Sequence, residues 1–433
     1  MSDYMFMLEN HLTSDQARVL NAVQSAASEA NVGLFLTGGA MRDMLGGFAI
    51  RDLDFTVEGP ALKLAKEVAK RAGGQVVSVD ELRGSAELVF PGGVTCEIAM
   101  ARKEKYASPG SRPQISPGTI HEDLLCRDFT INAIALSLNR ASRGLLIDPT
   151  NGLGDLLRRE MRTPGNYTLY DDPSRILRLI RLKTRLGFTV DERTQSQYRN
   201  AREAGMESRI PARALARELR QMAEEPNPGE VVRALADEGL LELYSPALTG
   251  SKLNLAGLAR LAKARQCVPF GVDLHAENLG LFLYFLTEKL TPKEKAAFIK
   301  AAALKRSEVE NWQAIESRAR KLETALKSAK LHKPSQLYAA ASQAPGELLL
   351  FLLARSEQRL VQDRIKNYLQ KYLPAALEIS DEAVAQKTGL EPGTPKFLKA
   401  KAELIAARLD ARPKKAPEAA EPAASATGPS GKR

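Results

Sequence analysis

The stretch Thr37-Gly38-Gly39-Ala40-Met41-Arg42-Asp43, followed closely by Asp52-Leu53-Asp54, decides how this chain folds. The apolar run Leu34-Phe35-Leu36 ahead of it predicts a short buried strand. Gly38 and Gly39 then let the backbone turn sharply, and the helix that follows offers N–H groups to an anion. Leu53-Asp54-Phe55-Thr56-Val57 predicts a second strand. Side chains on a strand alternate between faces, so Asp52 and Asp54 point the same way. Two like charges held together call for a cation between them. A phosphate cradle beside paired carboxylates implies metal-assisted chemistry on a nucleoside triphosphate.

Working outward, Val94-Thr95-Cys96-Glu97-Ile98-Ala99 predicts a neighbouring strand with one acid, Glu97, as a third metal-ligand candidate. An all-oxygen donor set favours Mg2+. The four histidines, His11, His121, His275 and His332, show no zinc-ligand spacing.

The next block is Glu122-Asp123-Leu124-Leu125-Cys126-Arg127-Asp128-Phe129-Thr130-Ile131-Asn132-Ala133. Gly-Gly-x-x-Arg-Asp, Asp-x-Asp, a lone Glu and then Arg-Asp-Phe-Thr-Ile-Asn-Ala is an order that resembles class II tRNA nucleotidyltransferases (CCA-adding enzymes) and bacterial poly(A) polymerases. Asp148-Pro149…Gly152…Asp155-Leu156 and Asp171-Asp172-Pro173-Ser174-Arg175 are similar to two further motifs of that family. The resemblance implies an α+β fold: a small mixed-sheet, polymerase β-like nucleotidyltransferase head followed by an all-α neck, body and tail. It also implies that Asp52 and Asp54 hold Mg2+ while Glu97 completes or orients the site. Gly38 and Gly39 would admit the triphosphate and Arg42 would offset its charge, with Asp43 bracing the turn. Arg127, Asp128 and Asn132 would contact sugar and phosphates. Asp172 and Arg175 would read the incoming base in place of a nucleic-acid template, an acceptor-only carboxylate and a forked donor being suited to base edges. Arg178 and Arg181, at helical spacing from Arg175, would reach phosphates.

One position departs from the pattern: Cys126 stands where the family has a first arginine. The loss of a charge-assisted bond there costs about 1–3 kcal/mol. Cys126 is read as a packing residue, since no Cys/His pairing supports covalent catalysis.

The chain has 433 residues and a net charge of +10, which suits several domains and a polyanionic partner. The resemblance implies tRNA as that partner, with CTP and ATP as substrates and no obligatory protein partner. Three cysteines make no disulfide framework, and the amino terminus lacks a signal-peptide pattern. The longest apolar run, around residues 279–286, is too short to span a bilayer and predicts a core helix. These features lead to the expectation of a cytoplasmic protein without a membrane partner. The organisation expected is a head over residues 1–150, a neck carrying base recognition over 151–225, a helical body over 226–333 and a helical tail over 334–411. Within the tail, the helix–turn–helix around Gly389 and Pro395 offers Lys396, Lys399 and Lys401 as tRNA-phosphate contacts. A Pro-, Ala-, Glu- and Ser-rich segment over 412–433 is expected to be disordered. Addition of C, C and A is the expected activity. CC-only, A-only or poly(A) addition, and an inactive RNA-binding relative, stay open.

Overall fold

The computed structural model describes residues 3–269, 272 and 274–411. The segment expected to be disordered, residues 412–433, lies outside them. The fold is built on a seven-stranded mixed sheet: β1 (Gly33–Leu36), β2 (Asp52–Glu58), β3 (Gln75–Asp80), β4 (Ser85–Val89), β5 (Thr95–Met100), β6 (Ala135–Ser137) and β7 (Leu146–Ile147). Their spatial order is β3-β4-β5-β2-β1-β6-β7, with β2 and β5 parallel and the other neighbouring pairs antiparallel.

Strand alternation gives the sheet two apolar faces. In β1, Leu34 and Leu36 enter one core, while Phe35 between them enters the other. Helices α1 (Ser14–Glu29) and α3 (Ala61–Ala72) cover the first face and bury Val19, Leu20 and Val23 with Leu64, Ala65 and Val68. Helix α1 starts where the sequence marks it: Thr13 Oγ1 accepts from Gln16 N at 3.2 Å and the Gln16 side chain accepts from Thr13 N at 3.0 Å. Helix α4 (Ile120–Leu125) contributes Ile120 and Leu124 to the second face.

Between β1 and β2 lies helix α2 (Gly38–Leu45), and the turn into it needs glycine at its first residue. Gly38 has φ +62°, and a Cβ there would sit 2.9 Å from Asp54 Oδ2. After the sheet come α5 (Gly152–Arg158), α6 (Ser174–Leu186) and α7 (Ala212–Ala223). Pro173 is the N-cap of α6 rather than part of its first turn. The next helix, Pro228–Asp237, starts within the Pro226-Asn227-Pro228-Gly229 stretch, with Asn227 as its N-cap.

The chain divides into two compact units. The first holds Met1–Gln266, Asp273–Arg320 and Pro345–Arg355; the second holds Cys267–Val272, Lys321–Ala344 and Ser356–Arg433. The boundary therefore falls inside the helix Arg306–Lys327 rather than at residue 334. Gly346–Arg355 belongs to the first unit because its apolar residues are core: Phe351 stacks edge-on to Tyr284 at 4.8 Å, and Glu347 pairs with Arg318 at 3.1 Å. The apolar helix Asn278–Thr287 is also core there.

The second unit is helical. Its helices Asp381–Thr388 and Pro395–Asp410 are joined through Gly389 at φ +68° and bury Val384, Phe397 and Ile405. No single helix among the described residues is long and apolar enough to cross a membrane.

Candidate active site

The parallel register of β2 and β5 places Asp54 beside Glu97, and the antiparallel register of β4 and β5 places Glu87 on the other side of Glu97. Neighbouring strands lie about 4.8 Å apart, so three carboxylates stand in a row across the sheet. Asp52, Asp54, Glu97 and Glu87 line one cavity of 270 Å³, together with Gln221 from α7. Asp54, Glu87 and Glu97 also border a second cavity of 440 Å³. Burial, with Glu97 and Asp52 close by, pushes the Asp54 carboxyl up to about 7. Burial and Glu97 raise Glu87 as well.

This donor set has the hard oxygens that a divalent cation takes, and the crowding of like charge is what such a cation relieves. The side chains do not converge on one point, however. Asp52 accepts a hydrogen bond from Thr95, and among the described residues no group of three or more His, Cys, Asp or Glu side chains is drawn together as a metal centre. Asp54 Oδ2 instead accepts from Gly39 N at 2.8 Å and Ala40 N at 3.3 Å. The Gly39 and Ala40 amides, which the sequence offered to an anion, are thus taken by the Asp54 carboxylate. Thr37 N donates to the Asp54 carbonyl at 2.8 Å, so the strand pairing brings the Asp54 side chain to the positive end of α2.

The 126–132 block sits opposite. The Arg127 guanidinium donates to Asp123 Oδ2 at 2.9 and 2.7 Å and to Thr56 Oγ1 at 2.9 Å, on the wall of the larger cavity. Asp128 Oδ1 accepts from Phe129 N at 2.7 Å and Asn132 Nδ2 at 2.9 Å, and Asp128 Oδ2 accepts from Arg178 Nη1 at 2.9 Å. Burial opposes the charge on Asp128, but Arg178 and Asn132 outweigh it and hold its carboxyl well below the ordinary range. The Asp148…Asp155 motif supports this block from behind. Asp148 caps α5 at Gly152 N and Leu153 N, and Asp155 Oδ2 accepts from Thr130 Oγ1 at 2.6 Å and Arg162 Nε at 2.7 Å. A Cβ at Gly152 would stand 2.0 Å from the Thr130 carbonyl, which explains the glycine.

Asp172 and Arg175 close the far wall of the same cavity. Arg175 Nη2 donates to the Cys126 carbonyl at 2.8 Å, Nη1 to the Thr168 carbonyl at 3.4 Å, and Nε lies 4.0 Å from Asp172 Oδ2. Asp172 Oδ1 accepts from Ser174 N and Oγ at 3.1 and 2.6 Å, leaving Oδ2 without a hydrogen bond to a described residue. Cys126 is used through its carbonyl, and burial pushes its thiol up, in keeping with a packing role.

Of the residues expected at the nucleotide, Gly38, Gly39, Arg127, Asp128, Asn132 and Arg178 do reach the cavity. Arg42 and Arg181 do not: both are buried, Arg42 against Asp43 and Asn132, Arg181 against Glu218 and Glu225. The structure adds Arg83, Arg102, Glu104, Arg217 and Gln221, which the sequence did not single out. Arg217 and Gln221 are four apart on α7, and that spacing was their only signal. Arg217 is exposed and makes no hydrogen bond or ion pair with a described residue. In the tail, Lys396 and Lys399 are exposed, whereas Lys401 pairs with Asp381 at 2.6 Å.

Sheet, acidic row and helical domains together define the class: a polymerase β-like nucleotidyltransferase head carrying helical domains. The family model described as the poly A polymerase head domain matches residues 34–162. The chain is 31% identical to an A-adding tRNA nucleotidyltransferase of Halalkalibacterium halodurans, over 83% of this chain and 81% of that protein. It is 30% identical to the A-adding enzyme of Aquifex aeolicus over 82% of this chain, but spans only 43% of that relative's length. CC-adding enzymes and multifunctional CCA proteins match as well. A solved tRNA nucleotidyltransferase, complexed with a primer tRNA and an incoming ATP analog, superposes with TM-score 0.51 and 29% identity over 82% of this chain and 99% of that one. The chain belongs to the tRNA nucleotidyltransferase family.

Proposed function

We propose that this chain transfers nucleotides from CTP and ATP to the 3′ end of tRNA, building the sequence C-C-A. One observation carries the reading: the carboxylate row of Asp54 and Glu97 borders the same cavity as Asp172 and Arg175. That shared cavity supports a reading in which the proposed reacting groups and the proposed base-recognising groups meet one ligand. Asp52 and Asp54 would hold Mg2+, which when bound activates a hydroxyl and neutralises triphosphate charge. Glu97, beside Asp54 in the strand register, orients that site. Arg127 and the exposed Arg217 offer guanidinium groups to phosphate oxygens. Asp172 Oδ2 accepts from the amino edge of cytosine or adenine, and Arg175 donates to the ring acceptors. Lys396 and Lys399 add sequence-independent contacts to the tRNA backbone.

A second reading, addition of the terminal A alone, is favoured by the names of the relatives that match over four-fifths of the chain. The purified chain incubated with tRNAs ending before CCA, after C and after CC, with labelled CTP or ATP, separates the two. The proposal expects CTP and then ATP incorporation that stops after the third nucleotide. Incorporation of ATP only, on the CC-ended tRNA, selects the second reading. Long A tracts mark a poly(A) polymerase, and retained tRNA binding without incorporation marks an inactive relative.

A further inference from the structure

Behind the cavity, nine residues close a ring of polar contacts. Asp43 Oδ1 accepts from Arg42 Nε at 2.8 Å, and Arg42 Nη1 donates to Asn132 Oδ1 at 2.8 Å. Asn132 Nδ2 donates to Asp128 at 2.9 Å, and Asp128 takes Arg178 at 2.9 Å. Arg178 and Arg181 share Glu218, at 3.0–3.1 Å. Arg181 also donates to Glu225 at 2.8 Å, Glu225 lies 3.7 Å from Arg185, and Arg185 donates back to Asp43 at 3.1 Å. Four arginines, four carboxylates and one amide thus balance in charge. Glu218 is fully buried, and Glu225 and Asp43 nearly so.

The ring's membership is informative. Arg42 and Asp43 come from α2, whose N-terminus holds Asp54, and Asp128 and Asn132 come from the head block. Arg178, Arg181 and Arg185 form one stripe of α6, the helix on which Arg175 stands and which Asp172 directly precedes. Buried ion pairs contribute little net stability against apolar packing, since desolvation offsets their attraction. Glu225 Oε2 is buried without a hydrogen-bond partner among the described residues, so at that junction the ring closes on the 3.7 Å ion pair alone. Elsewhere the contacts are hydrogen-bonded, and a network so paired favours one geometry, because a shift strands a charge.

We infer that Glu218, Glu225 and Arg185 are positioning residues: through the ring they fix α6, and with it Asp172 and Arg175, at one offset from Asp54 and thereby set which base is accepted. The inference rests on the reading of Asp172 and Arg175 as the base-recognising pair. None of the three lines the nucleotide cavity, so any effect on base choice passes through the residues they hold. A misplacement on the order of 1 Å at a reacting or reading group is enough to change rates by about a hundredfold.

The test uses the full chain with Arg185→Ala, Glu225→Gln and Arg175→Ala, measuring kcat and KM for correct and incorrect nucleotides and the tRNA affinity of each. Arg185→Lys keeps a cation between Asp43 and Glu225 and should rescue; it also serves if Arg185→Ala does not fold. Expected is an about tenfold fall in discrimination for Arg185→Ala and Glu225→Gln, with unchanged tRNA affinity and recovery in Arg185→Lys. A lower melting temperature with unchanged discrimination would reduce the ring to a structural role and overturn the inference. If Arg175→Ala leaves discrimination intact, the base-recognition reading fails on its own. If Arg175→Ala changes discrimination and neither ring variant does, only the positioning inference fails.

Discussion

Two sets of charged side chains meet in the first unit and are built on opposite rules. Across β2, β5 and β4 stand carboxylates of one sign, crowded by strand register, with Asp54 held up to about 7. Around α2, α6 and α7 runs a ring in which charges alternate and each member has a partner. The first arrangement stores repulsion of the kind a divalent cation relieves; the second sets most of its charges in pairs, although burial, Arg51 and Arg42 lower Arg185 to about 10. Crowded like charges mark where chemistry is done, and alternating buried charges mark what holds the chemistry in register. Asp128, Asn132 and Arg178 belong to the ring and also line the cavity that the carboxylate row borders.

The sharpest way to break this contrast is to remove a shared ring acceptor. Glu218→Ala leaves Arg178 and Arg181 without their common partner and should destabilise the first unit by about 3–5 kcal/mol, seen as a lower denaturation midpoint. A change below about 1 kcal/mol would show that the ring is not a buried network at all. Arg217→Ala probes the open set: it removes an exposed, unpaired guanidinium from the cavity and should raise nucleotide KM about tenfold with no change in melting temperature. An unaltered KM would take Arg217 off the phosphate path.

Acid titration sharpens the contrast in another way. Burial opposes the charge on Asp128 and Glu218, but Arg178 and Asn132 in the first case, and Arg181 and Arg178 in the second, keep both carboxyls below their ordinary values. Folding is then favoured by these groups fully above about pH 4, and the contribution is lost as pH falls towards their folded values. Calorimetric melting should be insensitive to them from neutral pH down to about 5 and drop below about 4. Glu218→Gln should flatten that drop; an identical acid limb in the variant would contradict the assignment. The smallest effect is expected in the second unit. Lys396→Ala should lower the salt dependence of tRNA binding by about one counterion, and an unchanged slope would exclude a phosphate contact.

Much of this was legible in sequence because it is local. Alternation across Leu34-Phe35-Leu36 fixes two core faces, the Thr13–Gln16 capping box fixes where α1 begins, and Gly-Gly followed by Asp-x-Asp fixes a turn and an acidic strand. Helical spacing put Arg178 and Arg181 on one stripe, but spacing does not say what faces the stripe. Glu218 and Glu225 answer from some forty residues away, and turn Arg181 inward to an ion pair instead of a phosphate. Arg42 was misread for the same reason, its partner Asn132 being ninety residues distant. The amides of Gly39 and Ala40 were read as free because the strand pairing that delivers Asp54 to them is also non-local.

The most direct test of the division between reacting and positioning charges is Asp54→Asn, assayed for labelled-nucleotide incorporation into tRNA and for thermal unfolding on the same preparation. The account predicts that incorporation falls by about a thousandfold or more, while the melting temperature holds or rises as like-charge repulsion is relieved. Incorporation near the wild-type rate, or its loss only alongside a collapsed melting temperature, would contradict it.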